Sequence, residues 1–199
     1  MTSKLQVIYI PGLGDSKIHQ RFNGQRLLVS TWRLWGVVPH IFQVNWADKE
    51  PFAPKFERLL KYIDTISQNQ PVGVVSSSAG ASAMLNLWAA RPEVIKAAVS
   101  ISGKINYPET IGSGYRSKNP AFAESAQQSA ASLTSLTLAD RKRLLSIYAA
   151  ADEIVPAKDS IVTGAHNRRA WSMGHAVTIA LQLSFGAPRF LHFIKSAQR

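Results

Sequence analysis

Three adjacent serines close an apolar run and open a stretch of small residues, in Val72-Gly73-Val74-Val75-Ser76-Ser77-Ser78-Ala79-Gly80-Ala81. A serine at a sharp strand-to-helix turn has its hydroxyl lifted out of the sheet, where it can act as a nucleophile. Such a turn crowds the residues two before and two after the serine, so both must be small. Ser78 meets that demand with Ser76 and Gly80. Ser77 would put β-branched Val75 in the crowded place, and Ser76 would put Val74 there. Ser78 is therefore the expected nucleophile. The plainer use of such a stretch is a serine-capped helix start packed on a sheet.

A serine hydroxyl is a weak nucleophile and needs a base, itself oriented by an acid. In chain order the base should come after the acid and after the last strand. Of the five histidines, His19 and His40 precede the serines, and His166, His175 and His192 follow them. His175, in Ser172-Met173-Gly174-His175-Ala176, falls between an expected strand and an expected helix. His166 comes before that strand, and His192 sits inside an apolar C-terminal helix, a structural setting. Asp152, in Tyr148-Ala149-Ala150-Ala151-Asp152-Glu153-Ile154-Val155-Pro156, lies 23 residues before His175, the span of one loop, helix and strand. Glu153 is the neighbouring alternative for the acid, and Asp159 a more distant one.

Attack on a carbonyl also needs N–H donors waiting for the oxyanion. One is the backbone N–H after the nucleophile, Ala79. The other is expected from Pro11-Gly12-Leu13-Gly14, after the first strand, with Leu13 as donor and Gly14 behind it. Nucleotide binding by that loop is disfavoured, because neither a Gly-Lys-Ser/Thr nor a Gly-x-Gly-x-x-Gly pattern is present.

These residues need a scaffold that gathers loops at one end of a sheet. Short apolar runs alternate with amphipathic ones, as in βαβ units. Strands are expected at 5–10, 37–44, 71–75, within 94–101, at 144–149 and at 169–172. Pro39 marks the second as an edge strand. Helices are expected over most of 17–35, over 51–67, 78–90 and 120–133, and at 175–185 and 188–198. The pattern predicts an α/β fold: a doubly wound, mostly parallel sheet of about six strands with helices on both faces. In such sheets ligands bind at the carboxyl ends of the strands.

The 199 residues suit one domain, spanning 1–199. No cysteine is present, which excludes disulfides, thiolate metal sites and a cysteine nucleophile. The first apolar stretch is too short for a secretory leader, and no run approaches the roughly 18 apolar residues of a membrane span. A soluble, cytoplasmic protein is expected. The net charge of +11 is spread out; the tightest clusters are Arg141-Lys142-Arg143 and Arg168-Arg169. Nucleic-acid binding is therefore not the expected function.

With these pieces in order, the sequence resembles the α/β-hydrolase superfamily over nearly its whole length. The likeness is carried by Gly12-Leu13-Gly14, Ser76-Ser77-Ser78-Ala79-Gly80, Asp152-Glu153-Ile154-Val155-Pro156 and Gly174-His175. It departs from the family's pattern in having Pro11 before the loop glycine, where a histidine is usual, and Ser76 at the elbow's first glycine position. The resemblance implies a minimal hydrolase fold with a small cap at about 104–139. It implies a serine hydrolase of the carboxylic-ester class (EC 3.1.1) working through an acyl-enzyme with a Ser78–His175–Asp152 triad. No metal or cofactor is implied, and the partner is a small-molecule ester. A thioesterase, amidase or peptidase could use the same triad, and a hydrolase-like fold can also serve binding alone. Phe22, Trp46, Tyr107, Tyr115 and Phe122 are candidate rim aromatics for an acyl pocket.

Overall fold

The computed structural model describes residues 4–19, 23–68 and 70–197. The apolar runs form six strands: β1 (Leu5–Ile10), β2 (Val37–Ile41), β3 (Val72–Ser77), β4 (Ile95–Ile101), β5 (Leu144–Ala151) and β6 (His166–Met173). They make one sheet in the order β2-β1-β3-β4-β5-β6, with every pairing parallel. The helices are α1 (Gly24–Ser30), α2 (Phe52–Ser67), α3 (Gly80–Ala90), α4 (Ser113–Lys118), α5 (Pro120–Ser135), α6 (Leu138–Arg141), α7 (Ala157–Ser160), α8 (His175–Leu183) and α9 (Ala187–Ser196).

Parallel strands need a crossover between them, and the helices supply it. The crossovers cover both faces, which is why the central strands read as unbroken apolar runs. Alternate residues of each strand enter opposite cores. Ile8, Ile10, Val72 and Val74 join Leu59, Met84, Trp88 and Phe122 from α2, α3 and α5. Val7, Tyr9, Val75, Val99 and Ile147 join Val29, Ile179, Phe190 and Ile194 from α1, α8 and α9. The doubly wound α/β expectation is met, and Pro39 does lie on an edge strand.

Among the boundaries that differ from expectation, three differ most. The 17–35 region is not one helix: Asn23 accepts the Arg26 N–H as an N-cap, so α1 starts at Gly24, and a 3₁₀ turn over Thr31–Trp35 ends at left-handed Gly36. The second strand stops at Ile41 rather than Val44, with the Phe42 N–H giving the last bond to β1, to the Tyr9 carbonyl at 2.9 Å. The last strand begins at His166, not Arg169. Its first residues, His-Asn-Arg-Arg, are largely solvent-facing on an edge and carry no apolar signal.

The sheet order reverses direction between β1 and β3. The chain leaves β1 toward β2 and returns past β1 to form β3. At such a switch point the loops after the two strands part and leave a crevice. Pro11–Gly14 follows β1 and Ser78 follows β3, so both open on it.

Candidate active site

The elbow is built by steric pressure from two sides. Ser78 has φ 50°, a left-handed conformation that a residue with a side chain adopts only at a cost of about 1–3 kcal/mol. The turn is pinned by its backbone: the Ser78 N–H donates to the Ile101 carbonyl at 3.1 Å, and the Ser78 carbonyl accepts the N–H groups of Ala81 and Lys104, each at 3.2 Å. Gly80 must be glycine, since a β-carbon there would stand 2.2 Å from the Ile10 carbonyl oxygen. Gly12 is equally constrained, by Ser78 itself.

The three serines part company. Ser76 is buried, and its hydroxyl donates to the Val99 carbonyl at 3.3 Å. Ser77 is buried on the other face, its Oγ 2.7 Å from the Tyr9 hydroxyl. Ser78 is only partly buried and lines two adjoining cavities, of about 320 and about 510 Å³. It also stands just before α3, where the helix N-terminus favours negative charge.

His175 starts α8 and lines the larger cavity together with Ser78. Its Nδ1 lies 2.9 and 3.0 Å from the two Asp152 carboxylate oxygens, and since a carboxylate only accepts, Nδ1 is the donor. The Asp152 side chain is 2% exposed, and its Oδ1 also accepts the N–H groups of Ile154 and Val155 at 2.9 and 2.8 Å. Burial alone would raise this carboxyl. The donors from Val155, His175 and Ile154 outweigh burial and hold it below its usual value.

Glu153 does something else. Its carboxylate accepts the His175 backbone N–H at 3.0 and 3.2 Å, capping α8 from outside. Asp159 is bonded to Lys104 instead of His175. His166 lies at the start of β6, the opposite end of the strand from the crevice, and its ring packs edge-on against Phe193. His192 is exposed on α9.

Leu13 and Ala79 line the smaller cavity beside Ser78. Neither N–H finds an acceptor among the described residues. The loop that carries Leu13 is braced by two residues the sequence did not single out for the task. Asp15 is buried, and its carboxylate accepts the Asn45 N–H at 2.7 Å and the Trp46 N–H at 3.3 Å. Trp46 returns its indole N–H to the Pro11 carbonyl at 3.2 Å. An aspartate directly after a glycine turn was the available signal for Asp15.

The rim aromatics divide. Tyr115 lines both cavities and Phe122 the smaller one. Trp46 is fully buried against Phe52 and Phe122 and is no rim residue: its indole fills the core beneath the loop. Tyr107 is exposed and lies outside both cavities, under Lys158. Phe22 falls outside the described residues. Among the described residues, no group of three or more His, Asp or Glu stands where it could hold a metal ion.

No protein-family model matches this sequence, and no curated protein sequence does. Solved structures do match. A metagenome-derived lipolytic enzyme from the LipS and LipT pair superposes with a TM-score of 0.69 at 12% identity, covering 97% of this chain and 94% of that one. The monoacylglycerol lipase of Paleococcus ferrophilus gives 0.64 at 13%, covering 97% and 95%. Alpha/beta hydrolase domain-containing protein 10 from mouse gives 0.69 at 16%, covering 100% and 92%. The chain has the α/β-hydrolase fold. The segment at 104–139 lies between β4 and β5. Here its long helix α5 is docked on α3, with Ser82 Oγ 2.8 Å from Ser125 Oγ and the Asn86 amide donating to the Ser125 carbonyl at 3.0 Å. Ile111 and Tyr115, earlier in the segment, wall the smaller cavity.

Proposed function

We propose that this protein is a cytoplasmic serine hydrolase that cleaves carboxylic esters, with Ser78 as nucleophile, His175 as base and Asp152 as its orienting acid. The observation that carries the reading is that a left-handed Ser78 shares a cavity with a histidine whose Nδ1 is fixed by a buried carboxylate. Among triad chemistries, ester cleavage is favoured because the similar structures include proteins described as lipolytic enzymes and a monoacylglycerol lipase.

In this mechanism His175 Nε2 takes the proton from Ser78 as its oxygen attacks the carbonyl carbon. The Leu13 and Ala79 N–H groups hold the oxyanion, each worth about 3–4 kcal/mol by analogy with other such donors. The His175 imidazolium then gives its proton to the departing alkoxide, leaving an acyl-Ser78 ester. Water, deprotonated by His175, repeats the attack and frees the acid. Because the proton passes from His175 to the alcohol, the alcohol half belongs in the cavity that His175 lines. The acyl half takes the smaller cavity, roofed by a small cap at about 104–139.

A fluorophosphonate probe, which traps activated serines, tests the reading. Wild type should label, Ser78→Ala should not, and His175→Ala should label far more slowly. Absence of labelling in folded wild type would overturn the reading and favour a binding role for the fold.

A further inference from the structure

Segments 16–47 and 160–199 carry nine Lys and Arg and no Asp or Glu, and so supply +9 of the net +11. Along the chain these charges look scattered, but the fold collects the two segments. They form the layer of α1, the Thr31–Trp35 turn, α8 and α9 on one face of the sheet, and they supply the edge strands β2 and β6. The layer is continuous: the Trp32 indole N–H donates to the Leu183 carbonyl at 2.9 Å, and its ring meets Phe190 edge-on. Carboxylates border it at its margins. Asp152 and Glu153 stand at the start of α8, and Glu93 lines a cavity with Ser196 at the end of α9.

The outer side of this layer is apolar as well as basic. α8 buries Ile179 and Leu183, yet it also turns Ala176, Val177, Ala180 and Leu181 outward at helical spacing. Phe185, in the turn after it, is 84% exposed, and Leu34, in the 3₁₀ turn, 83%. A helix that is apolar on both sides is ordinarily covered on both. Exposed apolar side chains gathered on one face mark a contact surface. Arg33 and Arg189 belong to the same layer, are exposed, and are paired with no carboxylate among the described residues. α8 and α9 together are apolar enough for a membrane span, but they are bent by 63° at their break and their inner sides belong to the core. That shape suits lying along an apolar medium, not crossing it.

An anionic bilayer satisfies both properties of the face at once: the acyl region takes the apolar side chains and the headgroups take the cations. Nucleic acid would match the charge and leave Phe185 and Leu34 unused. A second copy would match the apolar side chains and bring like charges together. We propose that the α1–α8–α9 face docks on the surface of membranes bearing anionic lipids. Ala176 and Ala180 also wall the larger cavity, so docking brings the rim of that cavity to the lipid. The docking itself does not depend on the roles given to Ser78 and His175.

The test is co-sedimentation with vesicles of phosphatidylcholine alone, and with about one third phosphatidylglycerol added, in about 0.1 M salt. Wild type should partition onto the anionic vesicles at least about tenfold more strongly than onto the neutral ones. Arg33→Gln/Arg189→Gln and Leu34→Ser/Phe185→Ser should each weaken that partitioning about tenfold. All four side chains are exposed, so both variants should keep the wild-type melting curve. No sedimentation with anionic vesicles, or partitioning that survives in both folded variants, would overturn the proposal. Binding to duplex DNA that the apolar variant retains, without vesicle binding, would overturn it and give the face to nucleic acid. A dimer that the apolar variant dissociates, without vesicle binding, would overturn it and make the face a contact between copies. Because the chain has no cysteine, a polarity-sensitive dye can be placed at one site. On Phe185→Cys it should shift to the blue with anionic vesicles, and on Gln127→Cys, in α5 on the other face of the sheet, it should not; the same response at both sites would overturn the assigned face. Fluorophosphonate labelling in vesicle-free buffer should be unchanged in both double variants, so docking and hydrolase readings fail separately.

Discussion

Gly12 and Ser78 touch across the crevice: a β-carbon on Gly12 would stand 2.7 Å from the Ser78 Cβ and 3.3 Å from its Oγ. Gly12→Ala must therefore move either the loop that carries Leu13, the proposed oxyanion donor, or Ser78, the proposed nucleophile. Displacements of this kind cost catalysis heavily, because donors and nucleophile must meet one carbonyl group. The expected outcome is a folded protein with kcat/KM on a short ester reduced about a hundredfold, read by steady-state kinetics alongside a melting curve.

Ser77 makes the contrasting case. Its hydroxyl serves the buried Tyr9 hydroxyl, which also donates to the Gln25 side chain at 3.1 Å. Ser77→Ala should cost about 1 kcal/mol of stability, the ordinary worth of one such hydrogen bond, and leave fluorophosphonate labelling intact. Loss of labelling with a native melting curve would mean that the nucleophile is misassigned.

The Asp152 carboxylate fixes which His175 nitrogen carries the proton. Asp152→Asn presents an N–H or a weaker acceptor to Nδ1 and permits the wrong tautomer. A drop in kcat of about 10⁴ is expected, as in triads of this geometry. A drop of less than tenfold would assign the orienting role elsewhere.

The same carboxylate sets a pH dependence of stability. Its folded value lies below the usual one, so its stabilising contribution is fully present above the unfolded value of about 3.9 and is lost as pH falls through the folded value. Urea titrations should give a stability gap between wild type and Asp152→Asn that is constant from pH 7 to 5 and narrows below pH 4. A gap that widens on acidification would contradict the sign.

Glu153 places a negative charge on the first N–H of α8. Glu153→Gln keeps an acceptor but removes the charge, and should cost about 0.3–1 kcal/mol. Its effect on kcat should stay within a few fold, because the imidazole remains held by Asp152. A loss approaching that of Asp152→Asn would make Glu153 the acid.

Local patterns made much of this molecule readable. The alternation of Val7, Ile8, Tyr9 and Ile10 between two cores is written in an unbroken apolar run, and the crowding at Ser78 is written in Ser76 and Gly80. The chain order of Ser78, Asp152 and His175 pointed to the loops that the sheet then gathers at one end. What stayed hidden depends on partners distant in the chain. Lys104 and Asp159 lie 55 residues apart and leave no periodic trace. Trp46 looked available for a rim because nothing nearby shows that Asp15 and Pro11 bind its N–H groups. The start of β6 was missed because an edge strand need not be apolar.

His175 follows β6, which has a neighbour only in β5, whereas Ser78 follows β3 in the middle of the sheet. The two proposed halves of the chemistry thus stand on strands with unequal numbers of neighbours. Mild heat or denaturant that peels the outer strand away would carry off the base and spare the elbow. If Ser78 and His175 act as proposed, ester cleavage should then fall at temperatures below the melting midpoint and return on cooling.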